Sequence, residues 1–309
     1  NPEMSQTLNP VKLAEAAFSS PACASLGWWL NPEARAHRDA ISPLEVIGNL
    51  SSPVYVIDDK GKQVFTNYGE ARLGVEHKVK AALPLIAYAP AMEVAQLGDA
   101  SFCSDHRIRL PYMCGSMANG IASVALVKAI ANGGMLASFG AAGLMVEQIE
   151  EAIIELKSAL GLTPFCANLI HSPNEKGQEQ AVVDVYLRHG IQLLEASAYM
   201  ALTPAVVRYR LHGIHRDSEG NIVAPNHIIA KASRVEVAER WFSPAPEKLI
   251  KQLLESGAIS SEQAELAAAI PMAQDLTVEA DSGGHTDNRP AITLIPTMLA
   301  LRDRLQQKF

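Results

Sequence analysis

The chain is short of what would mark a nucleic-acid binder, a disulfide-framed secreted domain or a membrane protein. Its 26 lysines and arginines are outnumbered by 33 aspartates and glutamates, giving a net charge of −7 and a pI near 5.7. That balance argues against nucleic acid as a partner, which would call for a basic face. The 4 cysteines among 309 residues, Cys23, Cys103, Cys114 and Cys166, stand far apart without CxxC spacing. Neither a zinc site nor a disulfide framework is indicated, and reduced thiols fit best. No apolar run reaches membrane-spanning length, and the first residues, Asn1 to Pro10, lack a basic segment followed by an apolar one. A cytoplasmic enzyme with no membrane contact is the default expectation.

What the chain does have is apolar mass. With 48% hydrophobic residues it can bury a large core as one big or two modest domains. Residues 1–105 show scattered aromatics, several prolines and no regular alternation of strand and helix, and are read as an N-terminal appendage. Within it, Pro10–Ser19 suggests a helix, and Val54–Ile57 and Lys62–Phe65 flank a turn at Asp58–Gly61 as in a β-hairpin. The pair Trp28–Trp29 is expected to pack against the main domain rather than to wall a substrate site.

From Arg109 the pattern becomes short apolar strands alternating with helices of about a dozen residues, the signature of βαβ units and a parallel sheet. Strands are expected at Leu110–Cys114, Met135–Phe139, Phe165–Ile170, Ile191–Ala196, His227–Ala232 and Leu276–Ala280. Helices are expected at Ile121–Asn132, at Val146–Leu160, up to His189, from Pro204 behind an N-cap at Thr203, and at Ile292–Gln307. Residues 244–273 interrupt the repeat with two amphipathic segments around Gly257–Ser260, an insertion of the kind that serves as a lid or a docking surface. The fold class is therefore α/β, a TIM-type (β/α) barrel over 106–309 with about six units in the chain. A doubly wound sheet usually carries GxGxxG after its first strand, and Gly115–Gly120 does not match it. Six units leave a barrel open at two edges, so further units are expected beyond this sequence.

The organising stretch is Asp275–Pro290. Leu276–Ala280 reads as an inner strand, Gly283–Gly284 allow close backbone approach to a ligand, and His285 sits at the C-terminal rim, where such barrels keep their active sites. Taken alone, a glycine pair and one histidine suit a surface loop equally well. Two other features stand out. Glu195 and Lys231 are charged residues placed on apolar strands, and a lysine there implies a partner. Arg208, Arg210 and Arg216 form the densest basic cluster of an acidic chain, either a solvated helix face or a phosphate-receiving patch.

Five segments together resemble the PfaD family: Cys114-Gly-Ser-Met-Ala-Asn-Gly-Ile-Ala-Ser123, Ser138-Phe-Gly-Ala-Ala-Gly143, Asn168-Leu-Ile-His-Ser-Pro173, Glu195-Ala-Ser-Ala198 and Glu279-Ala-Asp-Ser-Gly-Gly-His-Thr-Asp-Asn-Arg-Pro290. These are flavin-dependent enoyl reductases of polyunsaturated fatty acid synthases, similar to trans-acting enoyl reductases of polyketide synthases and to the wider nitronate monooxygenase superfamily. The resemblance implies a barrel that binds FMN, takes hydride from NADPH and reduces a trans-2-enoyl chain held on an acyl carrier protein. It implies His285 as proton donor or electrostatic partner, with Asp281, Gly283 and Gly284 in the same motif. It implies cofactor contacts at Gly115, Ser116, Met117 and Asn119, an amide beside the flavin ring at Asn168, a cofactor-side place for Glu195, and charge stabilisation at Lys231. The Arg208, Arg210 and Arg216 cluster would then receive the carrier protein or the NADPH 2′-phosphate. No metal is implied, and a homodimer is left open. The family's phosphate-holding loops after strands seven and eight have no counterpart after Arg304, a second reason to expect a longer protein. Two other readings stand beside reduction: oxidation of a nitronate-like acid by oxygen with the same flavin, and a non-catalytic docking subunit of a synthase.

Overall fold

The computed structural model describes residues 25–30, 42–74, 80–175, 177–281 and 288–306. The chain divides into two compact units between Gly98 and Asp99. The helix expected at Pro10–Ser19 lies outside the described residues.

The first unit is an antiparallel sheet. Its elements are β1 (Gly27–Leu30), α1 (Pro43–Gly48), β2 (Val54–Asp59), β3 (Lys62–Thr66), β4 (Glu70–Leu73) and β5 (Leu83–Ala89), with strand order β3-β2-β5-β1-β4. The expected hairpin is β2–β3, closed at Gly61, whose φ of 87° suits glycine and whose N–H donates to Asp58 Oδ1 at 2.6 Å. Trp29 packs within its own unit. It is buried with Tyr55, Ile57 and Leu85 in this sheet's own core, and its indole N–H donates to the Tyr68 carbonyl at 2.8 Å. The reason is register: Trp29 pairs with Ala71 on one side and Leu83 on the other, so it stands in an inner strand of the sheet.

The second unit begins with α2 (Ala100–His106) and then alternates: β6 (Met113–Cys114), α3 (Val124–Asn132), β7 (Leu136–Phe139), α4 (Val146–Leu160), β8 (Cys166–Ile170), α5 (Gln178–Arg188), β9 (Leu193–Ser197) and α6 (Pro204–Leu211). A small hairpin follows, β10 (His215–Arg216) with β11 (Ile222–Val223), and then β12 (His227–Ala232), α7 (Val235–Trp241), α8 (Glu247–Glu255), α9 (Ser261–Leu266), β13 (Asp275–Val278) and α10 (Ala291–Gln306). Six parallel strands form one curled sheet in the order β13-β12-β9-β8-β7-β6. The α/β class and the six consecutive units match the expectation, as a half-barrel. Closure into a full barrel is not seen among the described residues.

Side-chain alternation gives the sheet two different faces. Ala167, Leu169, Leu194, Ala196, Ile228, Ala230 and Ala232 face the helical layer and join its large core. The apolar spacing of α4 puts Ile149, Ile153, Leu156 and Leu160 against them, each burial contributing about 2 kcal/mol. The opposite, concave face carries Leu136, Leu193 and Ile229, covered by Ile108 and Phe102. By the same alternation Ser138, Asn168, Glu195 and Lys231 belong to this concave face.

Two expectations need correction here. The strand at the organising stretch is not an inner one: β13 is at the sheet's edge, and all four of its residues are half-buried. The 244–273 insertion is not held apart from the body as a lid would be. Leu253, Ile259, Leu266, Met272 and Ala273 are buried in the main core, and Gln263 Nε2 donates to the Leu211 carbonyl at 3.0 Å.

Candidate functional site

The concave face ends, at the C-terminal tips of β6 to β13, in a cluster of polar groups around Glu195. This carboxyl is only 1% exposed, so it needs partners. Its Oε2 accepts the backbone N–H of Ser116 at 2.8 Å, and its Oε1 lies 3.8 Å from Lys231 Nζ. Lys231 Nζ is in turn 3.5 Å from Glu279 Oε1. One ammonium thus stands between two carboxylates from β9 and the end of β13. Gly115 passes so near that a Cβ there would sit 3.1 Å from Glu195 Oε1.

The turn after β6 is fastened to the loop after β7. Asn119 N–H donates to Ala142 O at 2.7 Å, Gly120 N–H to Gly140 O at 2.9 Å, and Gly140 N–H to Ala122 O at 3.0 Å. This close approach requires glycine, because a Cβ at Gly140 would meet the Met117 carbonyl oxygen at 1.7 Å, and one at Gly143, where φ is 80°, the Asn119 Oδ1 at 2.2 Å. Asn119 itself is left-handed, with φ of 55°. Met117 is left 40% exposed on the rim.

Asn168, on β8 beside Glu195 in the parallel register, is 2% exposed. Its amide nitrogen donates to the Glu195 carbonyl at 3.1 Å and to Ser197 Oγ at 2.9 Å. Both amide hydrogens are therefore held inside the chain. Nearby, Ser138 Oγ is fully buried against the Cys166 thiol, with which it interacts. Burial first, and then the Glu195 charge, push the Cys166 thiol well above its usual range, which suits a structural thiol rather than a nucleophile.

The structure brings Gly115, Ser116, Glu195, Lys231 and Asn168 together and places Met117 and Asn119 on the adjoining turn. Asp281 ties the organising loop: its N–H donates to Arg289 O at 3.0 Å and its Oδ2 accepts the first N–H of α10, from Ala291, at 3.0 Å. Gly283, Gly284 and His285 lie outside the described residues. The arginine cluster does not hold together as a patch. Arg210 is 2% exposed, with Nη1 donating to Asn226 O at 2.6 Å and Nε to Pro271 O at 3.1 Å, and burial pushes its guanidinium down to about 10. It is a core strut, because α6 is enclosed on nearly every side. Arg208 is ion-paired with Asp184, and Arg216 donates to the Gly220 carbonyl at 2.9 Å in the small hairpin.

One network escaped the sequence reading. Glu179 of α5 accepts from Tyr199 OH at 2.8 Å and from Thr203 Oγ1, and its other oxygen lies 3.2 Å from His171 Nδ1. His171 stacks on Tyr199 with ring centroids 5.3 Å apart. Burial, then the Glu179 charge, hold the Tyr199 phenol well above its usual range. The one available signal was His171 within the Asn168–Pro173 segment.

No family model matches the chain. Relatives do. One subunit of the polyunsaturated fatty acid synthase of Thraustochytrium sp. is 46% identical over 215 residues, 70% of this chain and 14% of that protein. Another subunit of the same synthase is 46% identical over 219 residues, 71% of this chain and 11% of that protein. The polyketide biosynthesis protein PksE of Bacillus subtilis is 36% identical over 271 residues, 81% of this chain and 35% of that protein. The chain is a homologue of these synthase proteins. Among solved structures, the enoyl reductase domain of MlnA from the macrolactin biosynthesis cluster of Bacillus amyloliquefaciens superposes with a TM-score of 0.66 at 34% identity, over 70% of this chain and 49% of that one. The resemblance read from the five segments is thereby borne out. The chain spans about a third or less of the curated relatives' own length. No described helix is long and apolar enough to cross a membrane.

Proposed function

We propose that the chain carries the reductase site of a fatty acid or polyketide synthase: FMN-dependent, NADPH-driven reduction of a trans-2-enoyl thioester on an acyl carrier protein. The observation that carries this reading is the convergence of the Gly115–Ser116 turn, Glu195, Lys231 and Asn168 at the C-terminal rim of a parallel sheet, in a chain 34% identical to a solved enoyl reductase domain.

The residues fit a flavin. The turn after β6 has no side chain at Gly115, and the polar set at the rim holds the Lys231 ammonium between two carboxylates. FMN, when bound, supplies the two-electron chemistry that carries hydride from NADPH to the enoyl chain. The rest falls to the chain. Lys231 offers positive charge on the concave face, and the His285 imidazole, carried by the motif, gives the proton that completes reduction. Arg208 and Arg216 are the cluster's remaining members for steering an acidic carrier protein or a phosphate.

The test is anaerobic. The purified protein should contain FMN, bleach with NADPH, and be reoxidised by a carrier-bound trans-2-enoyl thioester. His285→Gln should slow reoxidation about 10²–10⁴-fold with flavin retained. Absence of flavin, or flavin reduced by a nitronate and reoxidised by admitted oxygen but not by the thioester, would overturn the reading.

A further inference from the structure

A carboxylate buried to 1% exposure is costly, and what it holds indicates what it is for. Glu195 reaches across the concave face in two directions. One oxygen receives the Ser116 N–H at 2.8 Å, a backbone group in the turn after β6, with β8 and β7 lying between the two strands in the sheet. The other stands 3.8 Å from Lys231 Nζ on the neighbouring strand β12. Its own carbonyl oxygen takes the Asn168 amide at 3.1 Å, so the residue is fixed from behind as well. Gly115 leaves the space the carboxylate occupies.

We propose that Glu195 is the positioning residue of this site: one carboxylate sets both the path of the Gly115–Ser116 turn and the placement of the Lys231 ammonium, without itself being a ligand. The inference rests on the reductase reading for what the positioned groups serve. The contacts themselves do not depend on it.

The chemistry separates the two arms. Glu195→Gln keeps a carbonyl oxygen that can accept from Ser116 but removes the charge facing Lys231, whose ammonium is then balanced by Glu279 alone. Glu195→Ala removes both arms and leaves the Ser116 N–H and the ammonium short of a partner. Glu195→Asp keeps the charge and withdraws it by one methylene. The turn should therefore survive in Gln and be lost in Ala, whereas the electrostatic effect appears in both.

The first readout needs no cofactor. Amide exchange in the peptide covering 115–120 of the full-length protein should match the parent in Glu195→Gln and be at least about tenfold faster in Glu195→Ala, the loss of roughly one hydrogen bond. Equal protection in Ala and parent would overturn the positioning role, and Gln keeps the test open if Ala fails to fold. The second readout is the flavin midpoint potential. It should rise in Glu195→Gln, because a negative charge near the reduced ring is removed while the turn is kept, with kcat changed more than KM for the thioester. An unchanged potential in Gln would overturn the electrostatic arm. A parent without FMN would instead sink the reductase reading and leave the exchange result standing.

Discussion

Arg210 Nη1 donates to the carbonyl oxygen of Asn226 at 2.6 Å, and with the bond from Nε to Pro271 O it ties α6 to the segments entering β12 and β13. Asn226 returns the contact through Nδ2, which donates to the Tyr209 carbonyl at 2.8 Å. The guanidinium thus replaces water for two buried acceptors. Arg210→Ala should cost on the order of 3 kcal/mol, since charged hydrogen bonds contribute about 1.5–3 kcal/mol each and the acceptors are left unpaired. Denaturant unfolding measures it. A loss below about 0.5 kcal/mol, the scale of ordinary surface substitutions, would show that the strut is dispensable.

The edge strand β13 is anchored at its first residue. His106 Nε2 lies 2.8 Å from Asp275 Oδ2, and His106 is 5% exposed and packed on Phe102 at 4.6 Å between centroids. His106→Ala should loosen β13 before the rest of the sheet unfolds. Hydrogen exchange over 275–278 is the measurement, and the expected result is faster exchange there than over 193–197. Uniform acceleration of both strands would contradict local anchoring.

Acid should weaken the same end of the sheet through a different histidine. Burial first, and then the charge of Arg210 and of His106, hold His227 below its ordinary value of 6.5. A depressed folded-state value means the unfolded chain binds the proton more readily. The stability is fully present above about 6.5 and is lost as pH falls through the lower folded value. His227→Gln should flatten the acid side of a Tm-against-pH profile below about pH 6.5. A slope identical to the parent's would show that other groups set it.

Gly140 faces the Met117 carbonyl at a distance no side chain tolerates. Gly140→Ala must displace the turn after β6, and it should lower flavin content at least about tenfold while the helical layer, which Gly140 does not touch through a side chain, stays folded. The pair of readings is absorbance of the bound flavin and far-ultraviolet circular dichroism. Full flavin occupancy in Gly140→Ala would mean that the two loops can separate without consequence.

The helical layer was the most legible part of the molecule. Val146–Leu160 has the expected bounds because Ile149, Ile153, Leu156 and Leu160 share one face and Gly161 ends it, and Thr203 caps α6 through the Val206 N–H. The first strand proved shorter than its apolar run, only Met113–Cys114, since Pro111 has no N–H to give and Arg109 and Leu110 both turn to the Gly134 carbonyl. The helix after it starts at Val124 rather than Ile121, where Ser123 accepts the Leu126 N–H. Strands β1, β4 and β5 left no local trace because their pairing joins residues as far apart as Gly27 and Leu85. In the site, the motifs singled out Glu195 and Lys231 but not their mutual contact, which depends on which strands become neighbours. Arg210 misled for a related reason: residue spacing gives the faces of a helix, not how many of them are enclosed.

The strand order of the parallel sheet, β6 through β13, runs in the same direction as the chain. Each new strand of that sheet therefore meets its neighbour as it leaves the ribosome, so the half-barrel can grow by accretion, one crossover at a time, on an edge already laid down. The antiparallel sheet has no such option. Its β2–β3 hairpin can close at once and β1 can meet β4, but the two pairs are joined only through β5, so the sheet is not completed until Leu83–Ala89 has been synthesised.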